Sequence, residues 1–151
     1  MTDAVRIEDR LEIFDLFHRY ADALDFKRWA DLDDLFTEGV ASEWFGVHRV
    51  DGREQVVGFV RDLVGKVGRT HHMIGNFRVS FTGDTARAAV RVRAYHEGAG
   101  DKAGLFEESL AAFEVEAVRT RTGGGWRFSR FSEPLFVMLG TQEVFGLENP
   151  A

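Results

Sequence analysis

A tyrosine and an aspartate five residues apart, Tyr20 and Asp25, close an apolar run near the N-terminus, and five histidines follow or interrupt it at His18, His48, His71, His72 and His96. A carboxylate that accepts a hydrogen bond from one ring nitrogen of a histidine fixes the tautomer and stabilises the imidazolium. The other ring nitrogen is then a general base near neutral pH. Asp25 falls at helical spacing with Ile7, Leu11, Phe14, His18 and Ala21, on the apolar rather than the wet side. Carboxylates are rarely buried unless paired. The competing role for Asp25 is to cap the segment that follows it. Tyr20 lies about 140° round the helix from Asp25. It reads either as a core aromatic or as a phenol that donates to a developing enolate oxygen.

The choice of histidine depends on strand parity. From Thr70 the period changes to two, and strict alternation puts His71, Met73, Gly75, Phe77, Val79 and Phe81 on one face. A bulge at Gly75-Asn76 shifts the parity, so that His72 and Ile74 join Phe77, Val79 and Phe81 inside and His71 turns out. The pattern leaves both open. His96 is in phase with Val90, Val92 and Ala94 on the apolar face of its strand. It is either a satisfied core histidine or a second acid. No metal site stands out, because adjacent histidines on a strand point to opposite faces.

The elements that must position these groups follow from periodicity. Thr2 or Asp3 caps a first helix that runs to Asp25, with a second apolar strip of Ile13, Leu16, Phe17, Tyr20 and Leu24. An arc this wide needs cover on two sides, by a sheet and by other helices or a subunit. A short second helix is expected over Lys27–Phe36, a strand over Val40–Phe45, a turn region from Gly46 to Gly52, and a third helix over Arg53–Val67. Four long strands follow: His71–Phe81, Ala86–Glu97, Leu105–Thr122, and Trp126 to about Met138. Gly98–Gly104 reads as a flexible loop or lid, Gly123-Gly124-Gly125 as a turn, and Thr141–Ala151 as a tail that covers a pocket mouth or crosses to a neighbour. This order predicts one α+β domain over residues 1–151. It has a curved antiparallel sheet of about four long strands plus a short one, and three helices from the N-terminal half pack on its concave face. A bent sheet closed by helices makes a cone with an apolar interior.

Composition narrows the classes. The chain of 151 residues carries a net charge of −6, no cysteine, 14 Phe and 3 Trp. Thiol chemistry is excluded, and the acidic balance with no basic stripe argues against nucleic acid. No apolar run reaches the ~18 residues of a membrane span. The acidic N-terminus does not read as a signal peptide, and a cytoplasmic location is expected.

Arg19-Tyr20-Ala21-Asp22-Ala23-Leu24-Asp25 ahead of Trp29, the strand-opening Thr70-His71-His72, and the closing Gly125-Trp126-Arg127-Phe128 resemble SnoaL-like proteins. These belong to the cone-shaped nuclear transport factor 2-like superfamily, and the resemblance covers roughly Val5 to Met138. Within it the chain looks most like scytalone dehydratase, the bile acid 7α-dehydratases and lindane dehydrochlorinase. There an Asp on the first helix orients a strand His that takes a proton while water or chloride leaves. The resemblance implies that Asp25 orients His72. The tyrosine five residues ahead in the bile acid enzymes matches Tyr20, and the second histidine of scytalone dehydratase matches His96. The two carbonyl-polarising tyrosines of scytalone dehydratase fall at Leu24 and Trp44, which argues against that substrate. Ketosteroid isomerase is a further relative; its oxyanion tyrosine also matches Tyr20, but its proton-carrying aspartate falls at or near Trp44.

The expectation is a cofactor-independent lyase, a dehydratase or related elimination, acting on a small apolar and cyclic substrate. His72, Asp25, Tyr20 and His96 are the catalytic set. Leu24, Trp44, Phe14, Phe17, Phe59 and Leu63 line the pocket. An isomerase with the same dyad, and a non-catalytic ligand-binding or dimerisation module, are the alternatives. No metal, cofactor, nucleic acid or membrane partner is implied. The wide arc of the first helix and the many phenylalanines point to a homo-oligomer, a dimer or trimer.

Overall fold

The computed structural model describes residues 6–121 and 124–149. Helix α1 (Ile7–Asp25) buries Ile13, Leu16, Phe17, Tyr20, Ala21, Ala23 and Leu24. The second apolar strip is thus the one that meets the sheet. The first strip is only partly covered: Ile7 and Leu11 are exposed, and so is His18. Arg6 occupies the N-cap position without a side-chain cap bond; Thr2 and Asp3 lie outside the described residues, as do Thr122 and Gly123.

The expected helix over Lys27–Phe36 is replaced by one 3-10 turn, Trp29–Leu32. Lys27 has a left-handed backbone, φ 53°, which breaks helical continuation directly after α1. Among the described residues two α-helices therefore form, not three. Strand β1 begins at Phe36 and runs to Trp44. The expected turn region holds a short strand, β2 (His48–Asp51), paired antiparallel to β1. Helix α2 (Arg53–Val64) follows, burying Val56, Val57, Val60 and Val64. Then come β3 (Thr70–Thr82), β4 (Thr85–Glu97), β5 (Phe106–Arg119), β6 (Trp126–Glu133) and β7 (Leu135–Gly140).

The seven strands form one sheet in the order β2-β1-β6-β5-β4-β3, with β7 also on β5. All pairs are antiparallel except β1 with β6. The last expected strand is split. Pro134 has no N–H to continue a ladder; β6 pairs with the C-terminal half of β5 (Glu114–Arg119) and β7 with its first half (Glu107–Ala111). The sheet parts at this point, and β6 leaves to meet β1. The result is a curved α+β cone, with α1 on β3 and β6, and α2 on β1 and β2. Trp126 ties α1 to the sheet: its backbone N–H donates to Glu12 at 2.9 Å and its indole to Asp9 at 3.0 Å. No helix among the described residues is long and apolar enough to cross a membrane.

Candidate active site

The bulge in β3 decides which histidine turns inward. Gly75 pairs with Arg91 but Arg78 with Ala89, so Asn76 and Phe77 together oppose one residue of β4. Asn76 takes φ 54° to make the extra step, a conformation asparagine accepts more readily than most residues. Upstream of the bulge His72 and Ile74 point in, and His71 and Met73 point out.

His72 meets Asp25 there. Its Nδ1 lies 2.7 Å from one Asp25 oxygen. Its backbone N–H donates to the other at 2.9 Å, and the Thr70 hydroxyl donates at 2.8 Å. Asp25 therefore makes no helix cap; it is held by three donors from the first residues of β3. Burial raises the Asp25 carboxyl, but the bonds from His72 and Thr70 outweigh it and hold the group below its ordinary value. Burial is the larger effect on His72, and it lowers that imidazole despite Asp25. The pair is thus a neutral imidazole donating Nδ1–H to a carboxylate, which leaves the other ring nitrogen as an acceptor.

A second pair lies beside the first. His96, at the end of β4, places Nδ1 2.7 Å from Glu107 on β5, and the Ser109 hydroxyl donates to the other Glu107 oxygen. The two imidazoles stand edge to face with centroids 5.3 Å apart.

His72 of the first pair and both members of the second face one cavity. Its wall is Tyr20 and Leu24 from α1, Trp44 and Phe45 from β1, Phe59, Val60, Leu63 and Val64 from α2, His72, His96, Glu107, Ser109 and Phe113 from the sheet, Glu133 from the end of β6, and Phe145. Phe145 belongs to a 3-10 turn, Gln142–Phe145, with Val144 and Phe145 buried, and its ring rests 4.9 Å from that of His96. The tail thus covers the cavity. About 30 Å³ remains for the centres of water molecules, room for roughly two waters. A cyclic molecule enters only if the wall moves.

Of the expected lining residues, Leu24, Trp44, Phe59 and Leu63 reach the cavity, and Phe14 and Phe17 do not. Phe14 stacks on Phe77, centroids 4.5 Å apart, and Phe17 packs on Phe128. Both lie on earlier turns of α1, nearer the closed end of the cone. Trp44 spends its indole N–H on Ser42 at 2.8 Å, so neither it nor Leu24 offers a polar group to a ligand. Tyr20 is buried, and burial followed by the charge of Glu133 raises its phenol well above the usual value; it stays protonated.

Sequence reasoning missed the apolar lining residues Phe45, Val60, Val64, Phe113 and Phe145, and the polar Glu107, Ser109 and Glu133. Glu107 and Ser109 were findable: they stand in phase with the buried Ala111, Phe113, Val115 and Ala117. Polar residues at core positions of an alternating strand are a signal in themselves. Glu133 is strongly perturbed. Burial first, and the charge of Glu107 second, push its carboxyl up to about 8.

A family model described as the SnoaL-like domain matches residues 5–132. An uncharacterized protein of Mycobacterium tuberculosis is 31% identical over 131 residues, 86% of this chain and 87% of that one. Among solved structures, a candidate aromatic ring hydroxylase from Novosphingobium aromaticivorans DSM is 27% identical with a TM-score of 0.81, covering 91% of this chain and 96% of its own. A hexachlorocyclohexane dehydrochlorinase from Novosphingobium barchaimii LL02 is 18% identical with a TM-score of 0.79, covering 99% of each chain. That last likeness is one of fold.

Proposed function

This chain belongs to the SnoaL-like family, and we propose that it is a cofactor-independent lyase whose base is His72, oriented by Asp25. The observation that carries the reading is the 2.7 Å bond from Asp25 to Nδ1 of His72, whose ring lines a small, largely apolar cavity. His72 removes a proton from carbon next to an electron-withdrawing group. Tyr20 and His96 face the same space and assist the oxygen or the departing group. Positioned acid–base catalysis contributes ~10²–10⁴-fold; positioning and electrostatic preorganisation supply the rest. An isomerase is the near variant, in which the proton returns at another carbon and nothing leaves. The substrate is a small apolar molecule. The protein works as a homo-oligomer, a dimer or trimer, using exposed apolar side chains of the sheet such as Met73, Phe136 and Val137.

One observation favours a second reading. The small free space of the cavity suits a filled cone, and hence a non-catalytic module of the same fold. The two readings separate on turnover of 4-hydroxy-4-phenylbutan-2-one to the ultraviolet-absorbing enone. A lyase forms the enone and His72→Gln does not. Equal rates in both proteins overturn the assignment of His72.

A further inference from the structure

The dyad accounts for the proton that leaves carbon and not for the group that leaves with the electrons. Hydroxide departs poorly unless it is protonated as the bond breaks. Chloride has no such need.

The cavity wall holds a group suited to that step. Glu107 is occupied by His96 and Ser109. Glu133 is not: among the described residues no cation pairs with it, and it is 7% exposed. Its backbone is fixed as the last residue of β6, its carbonyl accepting from Phe45 N–H at 2.9 Å, with Pro134 next. The titratable groups that share the cavity with it are Tyr20 on α1, His72 on β3, His96 on β4 and Glu107 on β5, and among the described residues no arginine or lysine lines that wall.

We propose, resting on the dyad reading above, that Glu133 is the acid that protonates a departing hydroxyl, and that the substrate is an uncharged, apolar β-hydroxycarbonyl compound. The balance is complete. His72 takes the proton from the carbon between the carbonyl and the hydroxyl-bearing carbon, and that C–H pair becomes the new C=C bond. The C–O bond breaks, and its oxygen leaves as water with the proton of Glu133. Transfer of a proton from the His72 imidazolium to the Glu133 carboxylate restores both. Nothing is oxidised or reduced.

The protonation states fit this division. Glu133, pushed up to about 8, keeps its proton at neutral pH, whereas His72 is pushed down and lacks one. Two titratable groups whose environments drive them apart are an acid and a base in waiting. The charge of the wall selects the substrate: with Glu107 buried beside the cavity and no arginine or lysine there, an anion is repelled.

The test uses the whole protein and two probes, 4-hydroxy-4-phenylbutan-2-one and its acetate ester. Both give the same enone, but acetate leaves without an acid. Glu133→Gln, close in size and neutral, is expected to lose about 10²-fold or more in kcat on the alcohol and at least tenfold less on the ester. On the alcohol the wild-type rate should fall as pH rises through about 8, and the variant should show no such limb. Equal losses on both probes, or no loss on the alcohol, overturn the role of Glu133. Wild-type protein that eliminates neither probe overturns the lyase reading itself.

Discussion

The imidazoles of His72 and His96 meet edge to face with centroids 5.3 Å apart, and each is tethered through Nδ1 to a carboxylate on a different element. Asp25 reaches one from the end of α1 and Glu107 the other from β5. The two rings are thereby fixed in orientation, and both face the same small cavity.

Asp25→Asn separates orientation from charge. The amide can donate as well as accept, so the His72 tautomer is no longer specified. Turnover should fall by about 10²–10⁴-fold while the circular dichroism spectrum is unchanged. Asp25→Ala should also destabilise, by about 1–3 kcal/mol, because the backbone N–H of His72 loses its acceptor. Chemical denaturation of the two variants distinguishes these effects.

Asp25 has its proton affinity lowered on folding. Its contribution is therefore fully present above the ordinary carboxylate value and is lost as pH falls through the depressed one. In thermal melts from pH 6 to pH 2, the gap between wild type and Asp25→Asn should close at the acid end.

Glu133 runs the other way. Its folded-state value is about 8 against 4.5 for the free side chain. Below 4.5 both states hold the proton and there is no penalty. Between 4.5 and 8 the unfolded chain gives it up and the folded one does not, so stability is lost as pH rises. Glu133→Gln should raise Tm, by an amount that grows across that window and levels off above it.

Deleting Asn76 removes the extra residue of the bulge and keeps the parity: alternating back from the inward Phe77, Gly75 faces out, Ile74 in and His72 in. Turnover should survive in that variant. Deleting Met73 leaves the bulge and reverses the parity ahead of it, so His71 should turn in and His72 out, and turnover should be lost in a protein that still folds. Turnover retained without Met73 would mean that strand parity does not set the aim of His72.

Phe145 covers the cavity beside His96. Phe145→Ala should cost about 3 kcal/mol, as for other buried phenylalanines, and should open the space to larger ligands. Fluorescence titration with an apolar dye, alongside a melt, reads both.

Much of this was legible in the chain. Asp25 announced itself as a carboxylate on an apolar helix face, and His96 as a histidine in phase with valines. His71 and His72 could not be separated by alternation, because the answer lies in the left-handed backbone of Asn76. Glu133 was hidden by a similar slip. Trp126 and Phe128 point inward, but the register shifts between them and Arg130, so it is Phe131 and Glu133 that continue the buried face. The missing second helix reflects Lys27, whose backbone conformation no side-chain pattern reveals. Phe14 and Phe17 have the right face of α1 and the wrong height on it: periodicity gives angle and not distance from the cone's mouth.

Proton abstraction by His72 is measured most directly with a ketone that cannot eliminate. In deuterated water, 4-phenylbutan-2-one exchanges the hydrogens beside its carbonyl only as fast as a base removes them, and nuclear magnetic resonance follows the loss. Wild-type protein should accelerate exchange above the buffer rate and His72→Gln should not. Exchange at the buffer rate with wild-type protein, or undiminished exchange with His72→Gln, would contradict the account.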